Sequence, residues 1–285
     1  MSENAAVDNG PTKPPFAYFG GKTRLADRIV SLLPEHRHYV EPFAGSLAVL
    51  LAKPPSKLET VNDIDGHLMT FWRVLRDRPD DLMRVAALTP HSRAEHQECM
   101  DIDGAHDELE RARRVWGMLT QGRTGTMRRT GWRYFSKPAG TNNSMPQYLD
   151  AYLARMAPAA ARLRSVSLEC RPALEVIQNY GQHHEVCLYL DAPYEGVTRP
   201  RTYDGYRHEM RATADHVELL DAALGCKAAV VISGYRSPTY DELLTDWDSI
   251  EIAAHTGQGA AGTGARTEVL WSNRPLHDGR LAGIA

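Results

Sequence analysis

The stretch Tyr39-Val40-Glu41-Pro42-Phe43-Ala44-Gly45-Ser46-Leu47-Ala48-Val49-Leu50-Leu51-Ala52 carries the reading of the fold. Tyr39 and Val40 make a short strand, Glu41 to Ser46 a glycine-containing turn, and Leu47 to Ala52 an apolar helix. A strand, a glycine loop and a helix in that order form the first βα unit of a nucleotide-binding sheet. Toward the N-terminus, Leu25, Ile29, Leu32 and Leu33 recur at helical spacing behind the Gly20-Gly21 turn and stop at Pro34. Toward the C-terminus, Glu59 to Ile64 reads as the next strand. It ends on Asp63 and Asp65, about 20 residues beyond the glycine loop, where such sheets place a ribose-binding acid. Either aspartate suits that role, and either could instead cap a helix or close a turn.

The alternation continues after a long interruption. From about His67 to Ala160 the pattern is helical, with Leu68, Phe71, Trp72 and Leu75 on one face, and residues 80–160 read as an insertion. A strand at Ser165 to Glu169 and a helix at Ala173 to Tyr180 follow. Val186 to Leu190 is uniformly apolar, as befits a parallel strand covered on both faces. Thr213 is expected to cap a helix reaching Leu224, Ala228 to Ile232 forms another buried strand, and Tyr240 to Leu244 a short helix. Strands near Ser249 to Ala253 and Glu268 to Trp271 flank a glycine-rich loop. The whole predicts an α/β chain built on a mostly parallel sheet.

The 285 residues are 42% hydrophobic and 24% charged, a globular and not a disordered composition. The longest apolar run, near Ala228 to Ile232, is far below the roughly 20 residues that cross a bilayer, and the polar N-terminus has no signal-peptide core. The expectation is a cytoplasmic protein without a membrane partner, with residues 1–13 as a disordered lead-in. Four cysteines without a C-x-x-C pair argue against a disulfide framework or a zinc cluster, and His183-His184 reads as surface, so no metal is expected. A net charge of −3 means that any nucleic-acid binding must rest on a local patch. One block fits: Arg111, Arg113, Arg114, Arg123, Arg128, Arg129, Arg133 and Lys137 occur between Arg111 and Leu149 without a single Asp or Glu. Within it Trp132, Tyr134 and Phe135 alternate with the cations, as in a loop that tracks phosphates and touches bases.

Ligands of open α/β sheets bind beyond the carboxyl ends of the strands. Asp191-Ala192-Pro193-Tyr194 stands at such an end: an acid, a stiffened turn and an aromatic. Taken with PFAYFGGK, YVEPFAGS, TVNDID, ECRPALEVI, YRHEM and RTEVLWSN, in that order and spacing, the chain resembles the Dam-type adenine-N6 DNA methyltransferases. The resemblance implies a Rossmann-like seven-stranded methyltransferase sheet (14–79 and 161–285) with a mainly helical DNA-recognition insertion (80–160). It implies S-adenosylmethionine as cofactor and double-stranded DNA as partner, with the protein a monomer or weak dimer. By the same resemblance Lys22 pairs with the cofactor's carboxylate and Tyr18 lines its pocket. Phe43, Ala44, Gly45 and Ser46 wrap it, Glu41 lies near its ammonium, and Asp63 accepts the ribose hydroxyls.

Asp191 and the carbonyl of Ala192 would hold the adenine amine, with Pro193 fixing the turn and Tyr194 stacking on the flipped base. Arg123, Arg128, Arg129, Arg133 and Lys137 would contact DNA, and Tyr206, His208 and Glu209 belong to a segment that closes over the base. Two positions depart from the family. Ala192 stands where proline is usual, which puts rate in question, and Ser46-Leu47 follows Gly45 where a second glycine is common, with Ser46 expected to face solvent. Cytosine N4 is the alternative target, and a DNA- and cofactor-binding module with attenuated catalysis is the alternative function. The loop lacks G-x-G-x-x-G, which disfavours a dinucleotide-dependent oxidoreductase.

Overall fold

The computed structural model describes residues 10–135, 144–198, 205–255 and 265–276. In chain order the elements are α1 (Ala26–Val30), β1 (His38–Glu41), α2 (Ala48–Ala52), β2 (Leu58–Asn62), α3 (Gly66–Asp77), α4 (Pro79–Ala87), α5 (Arg93–Cys99) and α6 (Glu108–Gln121). Then come α7 (Met145–Leu153), α8 (Met156–Leu163), β3 (Ser167–Glu169), α9 (Ala173–Tyr180), β4 (Val186–Leu190), α10 (Thr213–Leu224), β5 (Ala229–Gly234), α11 (Pro238–Leu243), β6 (Asp248–His255) and β7 (Ala265–Ser272). The seven strands form one sheet in the order β3-β2-β1-β4-β5-β7-β6. The first five are mutually parallel, and β7 is antiparallel to both β5 and β6. This is the Rossmann-like α/β arrangement that the alternation predicts.

Period-two alternation divides the strands between two cores. Val40, Leu188, Leu190 and Ile232 face α9 and α10, whereas Tyr39, Cys187, Tyr189 and Val231 face the helices that follow β2. Trp72 of α3 and Trp116 of α6 are buried in that second core, so the helices α3 to α8 share one apolar interior with a face of the sheet. A buried ion cluster joins the two parts. Arg162 of α8 donates to both oxygens of Glu59 on β2, at 2.5 and 2.7 Å, and Lys53 reaches Glu59 at 2.7 Å.

Several local expectations are corrected. Thr12 donates its N–H to Leu51 O at 2.8 Å, so chain is tied down before Lys13; residues 1–9 of the expected lead-in lie outside the described residues. The first helix spans only Ala26–Val30, and no side chain caps it. Thr213 is the first residue of α10 and not its cap, because its hydroxyl is spent on Glu195 at 2.7 Å. Ser46 is buried, not solvent-facing. Leu47 takes a left-handed backbone (φ 55°), a conformation that costs a non-glycine residue strain and that a second glycine would adopt freely.

Candidate active site

The carboxyl ends of β1, β2 and β4 open on a cavity of about 540 Å³. Its floor is the glycine loop. Ala44 N–H bonds Asn62 O at 2.8 Å and Gly45 N–H bonds Asp63 Oδ2 at 3.0 Å, laying the loop across the end of β2. Trp72 fixes the loop from below, its indole N–H donating to Gly45 O at 3.0 Å. Gly45 has φ 48°, and a Cβ there would meet the Tyr18 ring at 3.2 Å, so the close approach of ring and backbone requires glycine. Phe43, Ala44, Gly45, Ser46, Tyr18, Lys22, Glu41 and Asp63 all line this one cavity, as do Asp191 and Pro193.

The two rival aspartates both line the cavity and hold different backbone groups. Asp65 is the N-cap of α3, accepting from His67 N and Leu68 N at 3.0 and 3.5 Å. Asp63 faces the cavity, and burial pushes its carboxyl up to about 6 against the pull of the Asp65 and Gly45 N–H groups. Glu41 is 3% exposed, and burial raises it to about 8 although Tyr39 OH donates to it at 3.1 Å. Both acids are thus poised to gain from a polar or cationic ligand that takes water's place.

Asp191 anchors a buried network. Lys22 Nζ donates to Asp191 Oδ1 at 2.6 Å, to Tyr194 OH at 2.5 Å and to Gly20 O at 3.2 Å. An ammonium has three N–H bonds, so none is left for the cofactor carboxylate that the resemblance assigns to it. Burial alone would lower Lys22, but Asp191 and Glu268 hold it well above the usual lysine range. Ser233 of β5 also donates to Asp191 Oδ1 (3.1 Å), and Tyr189 OH donates to Ser233 Oγ (3.2 Å). Oδ1 is therefore fully engaged, while no described residue donates to Oδ2. Tyr194 OH accepts from Lys22 and donates to Glu268 Oε1 at 2.8 Å, and its ring lies 4.5 Å from that of Tyr235. Ala192 is buried among the apolar residues of the α9 and α10 face.

A model of the D12 class N6 adenine-specific DNA methyltransferases matches residues 18–256. The chain belongs to this family. It is 23% identical over 246 residues to the DNA N-6-adenine-methyltransferase of Escherichia phage P1, covering 81% of this chain but only 31% of that protein. The chain thus spans about a third of the length of this curated relative. Among solved structures it resembles a methyltransferase from Geobacter sulfurreducens at 12% identity, over 90% of this chain and 80% of that one, with a TM-score of 0.36. Membership of this family implies S-adenosylmethionine as methyl donor.

Further residues reach the cavity and the Asp191 network. Glu268 and Ser233 reach it from β7 and β5. Tyr206, a weak candidate from sequence, packs its ring 5.2 Å from Phe19 and 6.3 Å from Tyr18, and His208 lines the cavity. Glu209 accepts from Gly205 N and Tyr206 N, both at 2.8 Å, and so shapes the turn that carries them.

The basic block is divided by the fold. Of the α6 arginines Arg114 is buried and Arg113 largely so, and both are neutralised by acids: Arg113 pairs with Glu110 at 2.6 Å and with Glu95, and Arg114 with Glu110 at 2.6 Å and Glu98 at 3.1 Å. These two do not belong to a basic surface. Beyond α6 the chain folds back in a hairpin-like loop, Arg133 N–H donating to Gln121 O at 2.7 Å and Arg123 N–H to Gly131 O at 3.1 Å. Trp132 stacks between His91 (4.6 Å) and Tyr134 (5.4 Å), with the Arg93 guanidinium 4.9 Å from the Trp132 ring. Arg123 and Arg129 are exposed, Arg128 and Arg133 half-buried, and Lys137 lies outside the described residues. The loop tip touches the site itself: Phe19 N–H donates to Gly125 O at 2.7 Å, and Thr126 Oγ1 donates to Gly205 O. Among the described residues no group of three or more His, Cys, Asp or Glu could hold a metal, and no helix is long and apolar enough to cross a membrane.

Proposed function

We propose that this chain moves the methyl group of S-adenosylmethionine to N6 of an adenine turned out of duplex DNA, in the cytoplasm. The observation that carries this reading is Asp191, which lines the glycine-loop cavity: Oδ1 is pinned by Lys22 and Ser233, while Oδ2 has no donor among the described residues. The donor set suits the cofactor. Asp63 offers a carboxylate for hydroxyls, Glu41 a buried acid for an ammonium, and Gly45 the only side-chain size that leaves the Tyr18 ring in contact with the loop. When bound, the cofactor supplies an electrophilic methyl on a sulfonium.

The chain's own work is orientation. An exocyclic amine is a weak nucleophile because its lone pair is delocalised into the ring. Acceptors at Asp191 Oδ2 and the Ala192 carbonyl, aimed at the two amine hydrogens, favour the pyramidal nitrogen and direct its lone pair at the methyl. Lys22 and Ser233 keep the carboxylate from rotating. Tyr194, held at its hydroxyl by Lys22 and Glu268, offers the base a ring face, and unstacking the base costs a few kcal/mol that these contacts offset. Residues 80–160 serve as the target-recognition insertion. Arg123, Arg128, Arg129 and Arg133 contact DNA there, beside the stacked His91, Trp132 and Tyr134, and Lys137 is proposed with them.

The test is single-turnover methyl transfer to unmethylated mixed-sequence duplex DNA, followed by digestion to nucleosides, with the chain and its Ala192→Pro variant side by side. N6-methyladenine from both, at rates within about threefold, is expected, because alanine retains the carbonyl. N4-methylcytosine would move the substrate to cytosine. Transfer by the proline variant alone would make this chain a binding module.

A further inference from the structure

Lys22 and Asp191 form a buried ion pair, and such a pair has a chemical cost. An acceptor whose charge is fully matched by an ammonium at 2.6 Å attracts an amine hydrogen poorly, because the ammonium's field opposes the carboxylate's at the point where the amine arrives. A second carboxylate stands beside the same ammonium. Glu268 Oε1 is 3.5 Å from Lys22 Nζ and 2.8 Å from Tyr194 OH, with its side chain 4% exposed. Glu268 comes from β7, whose antiparallel run starts at the edge where β4 and β5 end. It therefore reaches the same edge of the sheet that carries Asp191.

Resting on the methyltransferase reading, we infer that Glu268 is a positioning residue which divides the Lys22 charge between two carboxylates, so that Asp191 keeps its accepting strength toward the target amine while Tyr194 stays fixed. The charges of the cluster support it. With both acids ionised, one ammonium between two carboxylates leaves the cluster one negative charge in excess beside the cavity that Asp191 lines, although burial pushes the Glu268 carboxyl up against the pull of Lys22. The hydrogen-bond directions agree as well. Lys22 spends its donors on Asp191, Tyr194 and Gly20, so Glu268 accepts its hydrogen bond from Tyr194 and acts on Lys22 through space. A glutamine would preserve the bond to Tyr194 and the shape of the site but not the charge.

The experiment compares wild type, Glu268→Gln, Lys22→Met and the double variant. Its readouts are single-turnover methylation, the dissociation constant for S-adenosylhomocysteine and the melting temperature. S-adenosylhomocysteine lacks the sulfonium charge, so it reports the pocket's shape without the electrostatics in question. Glu268→Gln is expected to lower the methylation rate at least about tenfold while S-adenosylhomocysteine affinity stays within about threefold. Lys22→Met leaves two carboxylates without their cation, and adding Glu268→Gln to it is expected to raise the rate about tenfold above Lys22→Met alone. A purely structural role for Glu268 predicts the opposite, losses that add. A full-rate Glu268→Gln variant, or a double variant no faster than Lys22→Met, overturns the inference. Absence of methylation by the wild type overturns the underlying reading instead.

Discussion

At the scale of single residues, the environment of Glu41 makes the chain sensitive to pH. Its folded pKa of about 8 stands above the ordinary glutamate value, so the folded chain retains a proton that the unfolded chain gives up. The stability contributed by Glu41 is full below the unfolded pKa and is lost as pH rises through 8, by roughly 1.4 kcal/mol for each unit in that window. Urea unfolding between pH 5 and 9 should show this decline, and Glu41→Gln should remove the part of it above pH 6, leaving the smaller decline that Asp63 contributes below. Binding of a cation beside Glu41 runs the other way, because it needs the carboxylate. Cofactor affinity is expected to tighten with pH up to about 8, by at most about tenfold per unit, and to lose that dependence in Glu41→Gln. Much of this residue-level chemistry was legible. The Asp63 and Asp65 pair needed coordinates because capping and ligand binding call for the same residue type; Asp65 is the N-cap of α3, and Asp63 is held by the Gly45 and Asp65 N–H groups, with both acids at the cavity. Glu268 was not legible. Inspection of the residues after each strand finds acids at the ends of parallel strands, but β7 is antiparallel, so its beginning lies at the same edge.

At the scale of elements, sequence pattern located β1, β2, β4 and β5 to within a residue or two, because β4 and β5 are largely apolar and all four are bounded by turn residues. Pattern could not show which elements are tied by charge. The cluster of Glu59, Arg162 and Lys53 binds β2 to α8 across about a hundred residues of sequence, and nothing about an isolated Glu in a strand or an Arg in an alanine-rich helix announces it. Its geometry predicts an asymmetric response. Glu59→Ala strands two buried cations and is expected to cost about 3–5 kcal/mol in urea unfolding, the usual loss when one partner of a buried ion pair is removed. Replacing all three residues by apolar ones of similar volume is expected to recover most of that loss, since the desolvation of the charges disappears with them. If Glu59→Ala were as stable as the parent, the cluster would be no more than surface-strength pairing.

At the scale of the molecule, the fold decides which cations DNA can meet. Sequence alone gave a run of basic residues without an acid, but acids distant in sequence answer part of it, since α5 brings Glu95 and Glu98 against Arg113 and Arg114. What remains is the loop from Gly122 to Phe135, tied at Gly125 and Thr126 to the rim of the cavity and thus set beside the proposed base pocket. Each phosphate neutralised releases condensed counterions, so the dependence of binding on salt counts the contacts, at about 0.9 in log–log slope for each. Arg128→Ala with Arg129→Ala is expected to reduce that slope by up to about 2 and to weaken binding similarly on all sequences, whereas loss of a base contact would fall on one sequence only. Arg113→Ala supplies the contrast. Its guanidinium serves Glu95, Glu110 and Thr89 inside the protein, so its removal should lower the melting temperature and leave the salt slope unchanged. Fluorescence anisotropy with a labelled duplex from 50 to about 300 mM salt measures the slopes. A slope unaltered by the double substitution would remove Arg128 and Arg129 from the interface, and one lowered by Arg113→Ala would place α6 within it.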